Sequence, residues 1–321
     1  MAEARKIVLK VAPDQVGMRL DQFLAAGIPD LSRRKARVLL DIGGVFVDGH
    51  RYKMAGRPMR KGETVSATLG GALWRATNEV GQAARAKDEA IYTYDIVHED
   101  EDIVVVDKPA GLLVAPTPES DRQNLASLLG KRAPGGRVMV VHRIDLETSG
   151  LLVFAKTTEA NQVLSEKFRV HDLEREYRVV VAGFYPENRA RLDKAIEGRK
   201  ACTHVAIEER LGELATVLGC RLETGRTHQI RIHVFGVGHP VLGDRKYTFP
   251  ELVFPIPPPR MALHARRLAF AHPRTGAPMD FQRELPADLD RWLVRLRRKS
   301  DWVISGGLPK PVGKYPDGDG G

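Results

Sequence analysis

Three short stretches of this 321-residue chain carry polar groups that a plain apolar core has no use for. In residues 142–157, HRIDLETSGLLVFAKT, a carboxylate on Asp145 follows the fixed positive charge of Arg143. In REYRVVV, Tyr177 stands at the start of a strand-like run, and GRTHQIR gathers Arg226, His228 and Arg231. A carboxylate held ionised by a nearby cation can attack carbon or take a proton, and a phenol can hold or relay one. Taken singly, each has a plainer role. An Asp before a turn caps or pairs at the surface, a Tyr in a strand packs, and HQIR lies on a surface helix. The chemistry exists only if the fold brings them together.

The elements that would do so are legible in the spacing. Asp145 precedes a small-residue turn, 148–150, and then the apolar run 151–155, so a charged loop enters a buried strand. Further strands are expected at 103–106, 177–182, 205–207, 215–218 and 220–222, with Lys108-Pro109-Ala110-Gly111 as a turn. Thr157 or Thr158 caps a helix running to about 169, and 224–234 read as a polar turn running into a short helix that Gly236, Gly238 and His239-Pro240 end. Residues 245–260 hold five prolines and read as loop. Residues 264–271 and 279–281 read as a hairpin, followed by a helix over 287–298. Strands without regular helical crossovers argue for an α+β core, a mixed and mainly antiparallel sheet with peripheral helices.

Residues 1–70 form a separate basic unit of small α/β type. Leu20, Phe23 and Leu24 fall at helical spacing, and Ser32 caps a second helix that Gly43-Gly44 stops. Residues 45–47 and 65–69 are strands, with Asp48-Gly49 as a hairpin signal. Between residues 1 and 69 there are thirteen basic and seven acidic residues, an excess of six out of a net charge of +9. Charge segregated in this way favours a nucleic-acid partner over mere solubility. Residues 71–93 are expected to be a linker, 94–300 a larger second domain, and 301–321, rich in Gly, Pro and Asp, a mobile tail. The two cysteines, Cys202 and Cys220, lie in no paired-ligand spacing, so neither a zinc site nor a disulfide is expected. With no secretion signal and no apolar run near the ~20 residues that span a bilayer, the expected location is the cytoplasm, away from membranes.

The motifs point further. RLDQFL, SRRKARVLLDIGGVFVDG and RKGETV resemble the S-four-like RNA-binding domain, over about 17–69. That resemblance puts Arg33, Arg34, Lys35 and Arg37 on the RNA-contacting helix. EDIVVVDKPAGLLVAP, HRIDLETSGLLVFAKT, GRTHQIRIHVFGVGHPVLGD and LHARRLAFAHP together resemble the RluA-like family of RNA pseudouridine synthases, over about 94–298. One departure is Arg175, where the family often has Lys two residues before its tyrosine.

The resemblance implies isomerisation of uridine to pseudouridine in structured RNA, most of all large-subunit ribosomal RNA. It implies no cofactor, no metal and no nucleotide cofactor; a monomer is the default expectation. Asp145 matches the essential carboxylate, with three routes open to it: attack on C1′, attack on C6, or removal of a C2′ proton. Arg231 matches its ion-pair partner, and Tyr177 matches the ring that stacks on the base. Arg143 matches the residue that fills the space left by a flipped-out uridine. Arg226, Lys108 and His228 are expected to bind substrate, the first two through backbone phosphates. Transfer RNA is the alternative substrate. A non-catalytic RNA-binding protein would explain the charge but not the three coincident residues. A glycosidase would need a second carboxylate that no motif supplies.

Overall fold

A computed structural model of the chain describes residues 4–77, 93–118, 124–133 and 136–300. Most of the expected linker, 78–92, and the expected tail, 301–321, lie outside the described residues. Two compact units emerge: residues 1–92 with 115–128, and residues 93–114 with 129–321.

The first unit opens with β1 (Arg5–Lys10), followed by α1 (Leu20–Gly27) and α2 (Arg33–Asp41). Then come β2 (Val45–Val47), β3 (His50–Arg51), β4 (Thr64–Leu69) and α3 (Gly71–Thr77). The helices form where the apolar spacing placed them. Helix α1 buries Leu20, Phe23 and Leu24 against Ala36, Leu39 and Leu40 of α2. Truncating such a side chain costs about 3 kcal/mol or more. Ser32 caps α2 by accepting from Lys35 N at 3.3 Å, and Gly43, at φ +83, turns the chain out of it. The sheet order is β1-β4-β2-β3, all antiparallel. Strand β1 escaped the sequence reading because its Ile7 and Leu9 are only partly buried, giving a weak alternation.

Next in the chain come β5 (Asp95–Glu99), β6 (Ile103–Lys108) and a short helix, α4 (Leu125–Gly130). They are followed by β7 (Met139–Val140), β8 (Ser149–Ala155), α5 (Thr158–Val170) and β9 (Glu174–Ala182). After these stand β10 (Arg189–Leu192), β11 (Thr203–Leu211), β12 (Ala215–Leu222) and α6 (Gln229–Gly236). The last are β13 (Leu263–Ala271), β14 (Pro278–Gln282) and α7 (Ala287–Ser300). The second unit is thus an α+β fold around one sheet ordered β10-β11-β12-β9-β13-β8-β6-β5, with β14 on β13 and β7 on β8. Only the β13–β8 pairing is parallel among the described strands. No helix of the described residues is long and apolar enough to cross a membrane.

Strand β12 runs unbroken through Gly219, where the sequence suggests two strands. Glycine is tolerated because a Cβ there would come within 2.6 Å of Glu208 Oε1, part of an arginine–glutamate lattice with Arg178 and Arg266 covering that face. Helix α5 packs Ala160 and Leu164 on Ile103, Val105, Leu151 and Val153. Helix α7 buries Leu289, Trp292, Leu293 and Leu296 against Val180, Val217 and Leu242.

The centre of the sheet is its tightest point. Ala265 of β13 pairs with Gly150 of β8 on one side and with Tyr177 of β9 on the other. At ~4.8 Å between strands, the mouth of β8 and the tyrosine are two strand spacings apart. Gly150 adopts φ +118, and a Cβ on it would lie 2.2 Å from the Ala265 carbonyl oxygen. Backbone strain and backbone collision coincide there. Gly150→Ala is expected to destabilise the second unit by about 3 kcal/mol or more. Chemical denaturation of the purified variant would show a lower midpoint, and an unchanged midpoint would contradict this account.

Candidate active site

Asp145 sits on the loop between β7 and β8, one residue past the buried Ile144. Its backbone carbonyl accepts from Thr148 N at 3.1 Å, closing the turn that the small residues 148–150 allow. Ser149 then anchors the strand entrance, sharing a hydrogen bond with His264 Nδ1 (3.0 Å) and accepting from Arg260 Nη2 (3.1 Å). The Asp145 side chain remains about a quarter exposed.

Arg231 lies in the first turn of α6, and its Nη1 donates to Asp145 Oδ2 at 2.8 Å. The rest of the guanidinium is taken by a second carboxylate. Arg231 Nε donates to Asp244 Oδ2 at 2.6 Å and Nη2 to Asp244 Oδ1 at 2.9 Å, a two-pronged pair. The Asp244 side chain is fully buried and also accepts from the backbone N–H groups of Lys246 (2.8 Å) and Tyr247 (3.1 Å). Burial works to lower the Arg231 pKa, yet the two carboxylates outweigh it and drive the value upward, so the charge is permanent. The ring of Tyr247 covers Arg231, with Cζ 5.1 Å from its centroid.

His228 caps α6 from the left-handed region, at φ 57. This strained geometry aims Nε2 to within 3.9 Å of Asp145 Oδ1, while Nδ1 meets Tyr247 Oη at 3.0 Å. Burial holds His228 below the usual histidine range, with Asp145 opposing. Tyr177 is 8% exposed, on the strand β9 beside β13. Burial pushes its phenol up, Arg175 pulls it down, and the charge of Asp145 adds to the rise. The phenol therefore stays protonated near neutral pH.

The structure thus gathers Asp145, Arg231, His228 and Tyr177 in the second unit, with Arg143 exposed on the Asp145 loop. Arg226 is partly exposed at the approach to α6, its Nε donating to the Lys200 carbonyl at 3.1 Å. Lys108 departs from expectation. Its ammonium is fully buried and donates to the carbonyls of Pro109 (2.9 Å), Leu112 (2.9 Å) and Leu146 (3.2 Å), so it is not offered to a phosphate. Burial, helped by Arg260, brings it down to about 7 against the pull of Asp145 and Asp107. It ties the turn after β6 to the residue beside Asp145, a join reinforced by Gly111 N donating to the Leu146 carbonyl at 2.7 Å.

Asp244 and Tyr247 were missed as site residues. Asp244 closes the third long motif, and a buried arginine calls for more acceptors than one carboxylate supplies. That reasoning points to a second acid. Arg175 likewise exceeds its sequence role. It is buried over the Phe168 ring (5.5 Å), and its Nε and Nη2 have no hydrogen-bond partner among the described residues. Gly225 leaves it room, since a Cβ there would lie 2.6 Å from Nη1.

In the first unit, Arg33, Arg34, Lys35 and Arg37 are all exposed on α2. Arg33 Nη2 (3.3 Å) and Arg37 Nε (2.8 Å) donate to Asp21 Oδ2, and Arg19 Nε donates to Oδ1 (3.1 Å). Burial resists ionisation of Asp21, but the three guanidiniums overcome it and hold the carboxyl at about 2. Arg34 and Arg37, with Val38 and Asp41, line a shallow cleft of about 400 Å³.

Comparison with known proteins identifies the family. The family model described as RNA pseudouridylate synthase matches residues 102–234, and that of the S4 domain matches 18–65. The ribosomal large subunit pseudouridine synthase D of Xanthomonas campestris is 34% identical over 318 residues, covering 90% of this chain and 92% of that one. The chain belongs to the RluA-like family of RNA pseudouridine synthases. It is therefore an isomerase acting on RNA. An uncharacterised family protein of Chloroflexus aurantiacus is 35% identical over 321 residues, covering 94% of this chain and 97% of that one. The solved structure of human RNA pseudouridylate synthase domain containing 4 shares the fold. Its TM-score is 0.53 at 22% identity, over 67% of this chain and 97% of that chain.

The buried position of Lys108 makes a prediction that separates its two roles. Lys108→Met is expected to lower turnover by loosening the Asp145 loop, while leaving the salt dependence of RNA binding unchanged. A phosphate contact would instead reduce that slope by nearly one unit, which titrations at several salt concentrations would reveal.

Proposed function

We propose that Asp145 is the catalytic carboxylate of uridine isomerisation, acting on a nucleotide turned out of its RNA. The carrying observation is the Asp145–Arg231 pair at 2.8 Å, with Arg231 itself fixed by the buried Asp244. The reaction breaks the C1′–N1 bond and makes C1′–C5. N1 gains a proton and C5 loses one, so atoms and electrons balance within the nucleoside and water. A carboxylate suits each route open to this residue: bonding to C1′, bonding to C6, or taking the C2′ proton. Arg231 neutralises the charge that would otherwise repel an electron-rich uracil.

Tyr177 provides a ring against which the base stacks, and its protonated phenol is a donor rather than a phenolate base. His228 borders the same carboxylate and contacts substrate. Arg143, exposed beside Asp145, fills the gap left in the RNA stack, at a flipping cost of a few kcal/mol. Arg226 meets the backbone near α6. Residues 1–70 act as the RNA-binding domain, with Arg33, Arg34, Lys35 and Arg37 against phosphates, and residues 94–300 as the catalytic domain. The substrate is large-subunit ribosomal RNA, as supported by the names of relatives matched over nine-tenths of this chain. A cytoplasmic place of action follows from that substrate.

Asp145→Asn is expected to retain RNA affinity within about threefold, since it removes no positive charge, and to form no pseudouridine. Release of tritium from C5-labelled RNA would measure this, and wild-type release by the variant would refute the assignment. For the N-terminal unit, Arg34→Glu with Lys35→Glu should weaken binding to structured RNA and flatten its salt dependence by about two charges' worth. Equal slopes for the variant and the wild type would count against α2 as the phosphate-binding element.

A further inference from the structure

We propose that Cys202, His204 and Glu223 form a divalent transition-metal site, best suited to zinc. Cys202 immediately precedes β11, and His204 lies two residues on, so both side chains project from one face of the sheet. Glu223 follows the end of β12, the antiparallel neighbour of β11. One ligand atom from each residue lies within 4.8 Å of the other two. Cys202 Sγ is 3.9 Å from His204 Nε2, and His204 Nε2 is 2.5 Å from Glu223 Oε1.

These distances suit coordination. Tetrahedral zinc, with Zn–S ~2.3 Å and Zn–N ~2.0 Å, requires a sulfur–nitrogen edge of about 3.6 Å. The nitrogen–oxygen edge must open to about 3.3 Å, a shift open to Glu223, whose side chain is 42% exposed. A thiolate, an imidazole and a carboxylate make a donor set of the borderline kind that zinc takes, with a fourth position left for water. His204 also lines a cleft of about 650 Å³, shared with Glu176, Arg189, Arg191 and Arg221.

The backbone beneath the ligands is already locked. Glu223 N donates to the Cys202 carbonyl at 3.1 Å, and Cys202 N donates to Thr224 Oγ1 at 2.8 Å. Gln229, at the start of α6, donates from Nε2 to the same Cys202 carbonyl (2.9 Å) and to Thr203 Oγ1 (3.0 Å). The ligands are therefore preorganised, and an ion there would staple β11 and β12 to the segment that leads into the Arg231 helix. Arg191 faces the same thiol and must turn away to its other partner, Asp193. Binding exchanges the thiol proton and the His204–Glu223 contact for three metal bonds; the thiol proton is released to solvent, and the ligating imidazole carries its proton on Nδ1 so that Nε2 is free to bind.

Cobalt(II) titrated into the full-length protein, first stripped with chelator, gives a direct reading. Thiolate-to-cobalt charge-transfer absorption and tetrahedral d–d bands are expected in the wild type and in Cys220→Ser, and zinc should displace both. In Cys202→Ser the charge-transfer band should vanish. In His204→Gln zinc affinity should fall by more than the ~10–100-fold that loss of an outer-shell partner costs. Absence of the band in the folded wild type would overturn the proposal. So would its survival in Cys202→Ser, or its loss in Cys220→Ser.

Discussion

Arg231 stands between two carboxylates of unequal exposure, and much of the second unit is arranged to keep it there. A lone buried guanidinium would be costly, and a single partner would leave most of its donors open. Asp244 takes two of the nitrogens and is itself held by the backbone at Lys246 and Tyr247. The third nitrogen is then presented in a fixed direction, toward Asp145. The fully buried acid gives rigidity, while the partly exposed acid remains open to solvent. Arginine suits this position where lysine would not, because a planar fork can serve two acids at set angles.

Positioning Asp145 from the other side is the work of the sheet. Ala265 is small enough to lie between Gly150 and Tyr177, which sets the carboxylate loop and the tyrosine two strands apart. Lys108 reaches under the loop and binds the carbonyl of Leu146, so the residue next to Asp145 is held by a buried amine. Ser149, His264 and Arg260 secure the strand entrance. The Asp145 loop is thus constrained at each end, as the catalytic role proposed for it would require.

The first unit uses a similar device at its surface. Asp21 has no exposed side-chain area, yet its carboxylate gathers Arg19, Arg33 and Arg37, whose side chains remain about half exposed. Each guanidinium donates one nitrogen to the buried acid while the side chain stays about half exposed. The basic helix face is therefore ordered in advance, which lowers the entropy lost when an anion binds.

Much of this was legible in the chain. The apolar spacing of 20–24, the Ser32 cap and the glycines at 43–44 specify local geometry, so α1, α2 and the turn after them follow from neighbours a few residues apart. The continuous apolar run after Gly150 and the Thr157 cap set β8 and α5 for the same reason. Asp145, Tyr177 and Arg231 were singled out by residue type and motif, but no local rule says that they meet. That Asp244 completes the guanidinium's partners, that Lys108 is buried on three carbonyls, and that Cys202 faces His204 and Glu223 all depend on contacts between distant residues. Local sequence sets torsions and faces, whereas the partner of a buried charge is decided by strand order and register. Those are properties of the packed sheet, in which Gly150, Tyr177 and Ala265 become neighbours only once all three strands are in place.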